Sequence, residues 1–199
     1  MRNKVLLVLL MILIIPLALV FIGCEEEVAE KPVNMSWGIP DHVTAFEDLQ
    51  REPQGLEVEH VDEVTLQVTW EKGESYILPI SATSDRALPG VRYQGSAIPD
   101  HLELEWLDPR QEVWFPLEEI PEERVKVVIE PENDHFLIDF GPPGGADFEE
   151  DMTRLIWFRI TPTEGDQFEF EIFGYQIEEG SSGEARVSNI LTLQAEVIE

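Results

Sequence analysis

Beyond residue 55 the chain repeats one pattern: short runs of alternating apolar and polar side chains, separated by proline, glycine, asparagine or aspartate. A period of two places alternate side chains on opposite faces of an extended backbone, so such runs read as half-buried strands. Leu56 and Val58 alternate, then Val64, Leu66, Val68 and Trp70, ahead of the turn Glu71-Lys72-Gly73-Glu74. Tyr76–Ile80 follows as a short strand whose Pro79 suggests a sheet edge. Ser81–Pro99 is rich in turn residues around a short strand Val91–Tyr93, and Leu102, Leu104 and Trp106 alternate again. Val113–Leu117, Arg124–Glu130 and Phe136–Phe140 are separated by Glu118–Glu123 and the Asn133-Asp134 turn. The strongest punctuation is Gly141-Pro142-Pro143-Gly144-Gly145. Thr153–Thr161 and Gln167–Phe173 are the two strongest strands, and Ile190–Ile198 is the last. The pattern amounts to about eight or nine strands, spaced roughly 10 to 15 residues apart, and predicts an all-β antiparallel sandwich over residues 55–199. Frequent proline suits open sheets with managed edges better than a closed barrel.

The opposite signal opens the chain. Arg2 and Lys4 precede the unbroken apolar run Val5–Ile22, and small Gly23 stands just before Cys24, the one cysteine present. A short basic stretch, an apolar run and a small residue are the parts of a signal peptide. Phe21-Ile22-Gly23-Cys24 resembles the lipobox of bacterial lipoproteins, with Phe21 where leucine is usual. The resemblance implies that residues 1–23 are removed, that the Cys24 thiol carries a diacylglycerol and that the domain is tethered to a cell membrane on its extracytoplasmic face. An uncleaved helix is the alternative, since 18 residues just reach across about 30 Å of hydrocarbon; either way the basic end stays in the cytoplasm. A single cysteine permits no intrachain disulfide.

Between anchor and sandwich, residues 24–54 read as the lipidated cysteine, an acidic tether beginning Glu25-Glu26-Glu27, and an irregular lead-in. A tether of about ten residues spans about 20 Å.

Removing 23 residues leaves 176, enough for one domain with a sizeable core. Five Trp and ten Phe require a packed interior and argue against disorder. The 41 acidic residues face 13 basic ones, a formal net charge of −28 that becomes −30 once Arg2 and Lys4 are gone. Such a surface repels phosphate backbones, so nucleic acid is not an expected partner. The acidity serves solvation or attracts cations or a basic partner.

Two stretches resemble the immunoglobulin-like domains of bacterial surface proteins. One is Leu102–Pro109 with Val113–Leu117: a strand with an aromatic, an Asp-Pro turn, then a Trp strand ending in Pro-Leu. The other runs from Phe140-Gly141-Pro142-Pro143-Gly144-Gly145 through Thr153–Thr161 to Gly165–Ile172. The resemblance implies an immunoglobulin-like sandwich used for extracellular display, binding or structure, and it carries over no catalytic residue. Phe168 stands where many such domains have a corner tyrosine, so that side chain makes no corner hydrogen bond.

Motifs for chemistry are few. Asp147, Glu149, Glu150 and Asp151 offer carboxylates to calcium, which takes six to eight oxygen ligands, although they lack the spacing of an EF-hand loop and acids are abundant here. Ile-Pro-Asp-His occurs at 39–42 and again at 98–101, and the two Asp-His pairs would bind a metal only by converging. His60 and His135 lie beside strands. There is no Gly-x-Ser-x-Gly elbow and no His-Glu-x-x-His helix. The expectation is therefore a non-catalytic module, with no cofactor beyond that calcium candidate, a membrane contact through Cys24 and an envelope or cell-surface protein as partner. A second reading makes it a ligand-binding accessory subunit of an envelope complex, with Trp106, Trp114 and Trp157 partly exposed. The third, a hydrolase using paired carboxylates, has no distinguishing spacing.

Overall fold

Each run of alternation forms a strand. The computed structural model describes residues 31–45, 49–99, 101–121, 126–132, 135–141, 145–177 and 184–199; residues 1–23, expected to be a signal peptide, and Cys24 lie outside them. The described residues carry thirteen strands: β1 (Val33–Trp37), β2 (Glu57–His60), β3 (Thr65–Glu71), β4 (Tyr76–Ser84), β5 (Leu88–Pro99), β6 (Leu102–Asp108), β7 (Val113–Pro116), β8 (Lys126–Glu132), β9 (His135–Gly141), β10 (Ala146–Phe148), β11 (Thr153–Pro162), β12 (Gln167–Ile177) and β13 (Glu184–Ile198). One turn of 3-10 helix, Leu117–Glu119, follows β7.

One sheet runs β7-β6-β11-β4-β1 and the other β8-β9-β5-β12-β13-β3-β2, with β10 beside β5. Immunoglobulin sandwiches order their sheets A-B-E-D and G-F-C, extended by C′ and C″. Here β1, β4, β11 and β6 take the first four places, and β13, β12, β5, β9 and β8 take the others. All pairs are antiparallel except β1 with β13 and β3 with β13, which is the relation of a split first strand to the last. The expected all-β immunoglobulin-like sandwich is thus the fold. The chain order departs from the usual one between β5 and β11, where β6 and β7 join the far sheet before β8 and β9 return beside β5.

The strand count exceeds the expected eight or nine, and two of the thirteen, β1 and β10, lie in segments read as tether and loop. Val33-Asn34-Met35-Ser36-Trp37 alternates like the others, and Val33 and Met35 are buried. The folded unit accordingly runs Lys31–Glu199, so the sandwich takes in part of the stretch assigned to the lead-in. Pro79 does not mark an edge, since β4 is central, between β11 and β1. Its carbonyl accepts the Gly38 N–H at 2.8 Å. The missing N–H falls on that same side, just past the last β1 pairing, Trp37 with Ile80, where no ladder bond is lost.

Between the sheets, Leu78, Ile80 and Phe158 face Leu66, Trp70, Ile172, Leu191 and Leu193 in one apolar cluster. Full burial of each such side chain contributes about 1.5–3 kcal/mol. A second, smaller cluster lies on the outer face of β4 and β11, where Ile39, Leu107 and Trp157 pack with Val43, Leu49 and Trp114. Ile39, Val43, Ala45 and Leu49 cover that face, which is why β4 is buried on both sides instead of alternating. Three tryptophans hold the irregular segments in place: Trp37 Nε1 donates to the Val64 carbonyl, Trp70 Nε1 to Gln54 and Trp157 Nε1 to Gln50, at 2.8–2.9 Å. Arg51 adds bonds to the carbonyls of Pro40 and Val43.

The sheets part along β13. Its Asn189 side chain accepts the Met35 N–H at 2.7 Å and donates to the Met35 carbonyl at 2.9 Å, standing in for a strand where the β1–β13 pairing has ended. At the other margin β10 meets β5 backbone to backbone: a Cβ on Gly145 (φ +85°) would stand 2.3 Å from the Gly90 carbonyl carbon, so glycine is required there.

Candidate binding face

The hairpin β2–β3 builds an open part of the second sheet, with all four residues of β2 exposed. Its turn is fixed by Asp62, whose Oδ1 accepts the N–H groups of Val64 at 2.8 Å and Thr65 at 2.6 Å, while Oδ2 accepts the Thr65 hydroxyl at 3.1 Å. These backbone bonds stabilise the charged form and hold the Asp62 carboxyl below its ordinary value. The turn sets a register in which Glu57 pairs with Thr69 and Glu59 with Gln67.

That register continues across the sheet. Thr69 lies beside Glu196 and Gln67 beside Gln194 in the parallel β3–β13 ladder; Glu196 in turn lies beside Gln167 and Gln194 beside Glu169. Two rows of side chains therefore cross four strands on the outer face, Glu57-Thr69-Glu196-Gln167 and Glu59-Gln67-Gln194-Glu169. They line a hollow of about 710 Å³ whose lining contains four glutamates and no lysine, arginine or histidine. Gln194 Nε2 donates to Glu169 Oε2 at 3.1 Å, so the amides partly orient the carboxylates. Val68, Phe168 and Ala195, buried beneath, make the floor rigid. Such a surface presents acceptors and negative charge to a cationic or hydrogen-bond-donating ligand.

The residues singled out by sequence lie elsewhere. Asp147 lies exposed in β10 and Glu149, Glu150 and Asp151 in the exposed turn that follows: Asp147 Oδ1 accepts the Gly90 N–H at 3.0 Å, Asp151 sits at φ 60° with its N–H on the Ser84 carbonyl, and the Met152 N–H bonds the Glu149 carbonyl. Among the described residues no group of three or more His, Cys, Asp or Glu is placed to hold a metal ion, so these four acids are not brought together as a ligand set. Of the repeated tetrapeptide, Ile39 is buried and Asp41 and His42 are exposed, whereas Asp100 lies outside the described residues and His101 packs edge-on to Phe168 at 6.4 Å between ring centres. His60 ends β2, exposed, and His135 begins β9.

The tryptophans do not form an exposed face. Trp157 is 1% exposed beneath the Gly38–Gln54 segment, and Trp106 packs against the main core. Trp114 stacks under the Arg159 guanidinium at 4.8 Å, which forks onto Glu105 through Nε–Oε2 at 2.5 Å and Nη2–Oε1 at 2.6 Å. All three rings were visible in the sequence as aromatics, and Trp106 and Trp114 stay half-buried, but the covering of Trp157 was not legible, because it comes from an irregular segment without periodicity. Tyr93 is buried between the sheets, and burial pushes its phenol above the ordinary value, the Arg154 charge pulling in the opposite direction.

No protein-family model matches this chain, and no curated protein matches it in sequence. Solved structures with a similar strand arrangement include AvmM, which catalyzes macrocyclization in alchivemycin A biosynthesis, at 12% identity and a TM-score of 0.41 over 66% of this chain and 84% of that one. The CARDB domain of a Pyrococcus furiosus protein gives 9% and 0.38 over 85% and 96%. The collagen-binding domain of a Staphylococcus aureus adhesin gives 8% and 0.35 over 61% and 87%. These likenesses are too low to carry function.

Proposed function

We propose that this chain is a lipid-anchored binding module on the extracytoplasmic face of a cell membrane, acting without catalysis. The observation that carries the reading is Cys24, preceded by the apolar run Val5–Ile22 and Gly23 and followed within a few residues by the folded unit Lys31–Glu199. Diacylation of the thiol holds the sandwich close to the membrane surface, and the cluster Glu25–Glu27 keeps it off an anionic one. The binding surface is the hollow face of β2, β3, β13 and β12, whose polar lining of carboxylates, amides and one threonine sits on paired strands over a packed floor. Its ligands are met by a rigid, preorganised surface, which keeps the ordering cost of association low.

Growth of expressing cells with labelled palmitate tests the anchor. Wild type is expected to carry label and to partition into the membrane fraction, and Cys24→Ala to lose both. Undiminished label in Cys24→Ala overturns the reading.

A further inference from the structure

β2 is the last strand of its sheet among the described residues, pairing with β3 alone, and all four of its residues are exposed. The Val61 N–H donates to the Thr65 carbonyl at 3.0 Å. The antiparallel alternation therefore turns the backbone groups of Glu59 and Glu57 toward β3 and those of Val58 and His60 outward. Beside this open edge stand two exposed apolar side chains, Leu56 at 54% and Val58 at 39%. On the outer face the edge begins the two acidic rows, with Glu57 and Glu59 outermost. An edge with free donors and acceptors is a template for another strand.

Charge decides which strand. A second copy pairing edge to edge would set Glu57 and Glu59 against the same carboxylates, and like charges directly opposite are destabilising. The chain's own Glu25–Glu30 segment is acidic as well. We infer that the β2 edge takes up an extended segment of a partner protein in which lysine or arginine alternates with apolar residues, its cationic side chains lying over Glu57 and Glu59 and its apolar ones beside Val58. The site deepens the binding-module reading by naming its partner class: backbone bonds to Val58 and His60 supply strand addition, and the rows leading to Glu169 and Glu196 supply the sign.

The test uses the full chain in non-ionic detergent micelles and a fluorescent Lys-Val repeat decapeptide, with fluorescence anisotropy as readout. Binding is expected for that peptide and not for the Glu-Val repeat, nor for a Lys-Val repeat methylated at every backbone nitrogen, which keeps the charge but cannot add as a strand through either edge. Glu57→Gln with Glu59→Gln is expected to weaken binding on the order of tenfold, the loss of two solvent-screened ion pairs. Glu74→Gln with Glu164→Gln, exposed acids away from the edge, leaves it unchanged. Val58→Pro removes an outward N–H without breaking a β2–β3 bond and is expected to abolish binding while keeping a β-type far-ultraviolet spectrum. Equal binding of the methylated peptide, or equal weakening by the remote acid pair, overturns the proposal in favour of diffuse attraction to a negative surface; no binding of the Lys-Val peptide by wild type overturns it outright. Cys24→Ala is expected to bind the peptide as wild type does, so failure here leaves palmitate labelling intact and loss of the anchor leaves peptide binding intact.

Discussion

Asp62 carries more of the hairpin than its exposed position suggests. Its carboxylate accepts two backbone N–H groups and a hydroxyl, and the Val64 bond, then the Thr65 bond, depress its pKa below the unfolded value. A depressed acid stabilises the folded form fully above its unfolded pKa, and that contribution is lost as pH falls through the lower folded value. Amide protection factors at Val64 and Thr65 are therefore expected to stay level from pH 7 down to about 4, the ordinary aspartate range, and to fall below it. In Asp62→Asn the acid-side step should be missing; a step of equal size there would assign it to other carboxylates. The motif was readable in the sequence as an aspartate two and three residues before the bonded amides, a common turn pattern. The carboxylates at 147–151, and not Asp62, were the acids singled out in the sequence, but there the backbone and the Asp147–Gly90 bond account for the geometry.

At the scale of elements, period-two alternation located the strands because it depends on each strand's own side chains. It could not supply their neighbours. The parallel pairing of β3 with β13 joins residues more than a hundred positions apart, and only that pairing puts Glu57 and Glu59 in line with Glu196 and Glu169. Alternation also failed where a strand is covered twice: β4 reads as nearly continuous burial because Ile39, Val43 and Leu49 lie over its outer face, and Pro79 misleads because its missing N–H falls just past the last β1 pairing of a central strand. Among its described residues the lid over β4 has little regular structure of its own and depends on a few specific bonds. Trp157→Phe removes the donor to the Gln50 carbonyl and part of the ring that fills the second cluster. Loss of one partner of a part-buried hydrogen bond costs about 1–3 kcal/mol, so the urea midpoint should fall correspondingly. Protease cleavage between Ile39 and Arg51 should rise with it; an unchanged midpoint would show the segment to be held by its other bonds, those of Arg51 and of Trp70 to Gln54.

Over the whole molecule, 41 acids against 13 basic residues make the folded state work against its own charge. Compacting a chain of net charge −28 brings like charges together, and salt screens them over a Debye length of about 10 Å at 0.1 M. Raising KCl from 10 mM to 0.5 M should therefore raise the thermal midpoint; about 1 kcal/mol of relieved repulsion corresponds to roughly 2–4 °C for a domain of this size. A falling midpoint would mean that the few ion pairs present, such as Lys72–Glu199 and Arg159–Glu105, outweigh the repulsion.

The same β13 that joins the two sheets also decides how the domain bears tension. β1 and β3 run parallel to it, so a pull between residue 31 and residue 199 drags β1 backward along the direction in which β13 is drawn forward. The seven-residue β3–β13 register, Thr65–Glu71 against Thr192–Ile198, and the Asn189 bridge to Met35 lie along that line, and their bonds load together in shear, where a zipper would break them one at a time. Pulled between those two residues, the domain would resist extension at the seam where its sheets meet.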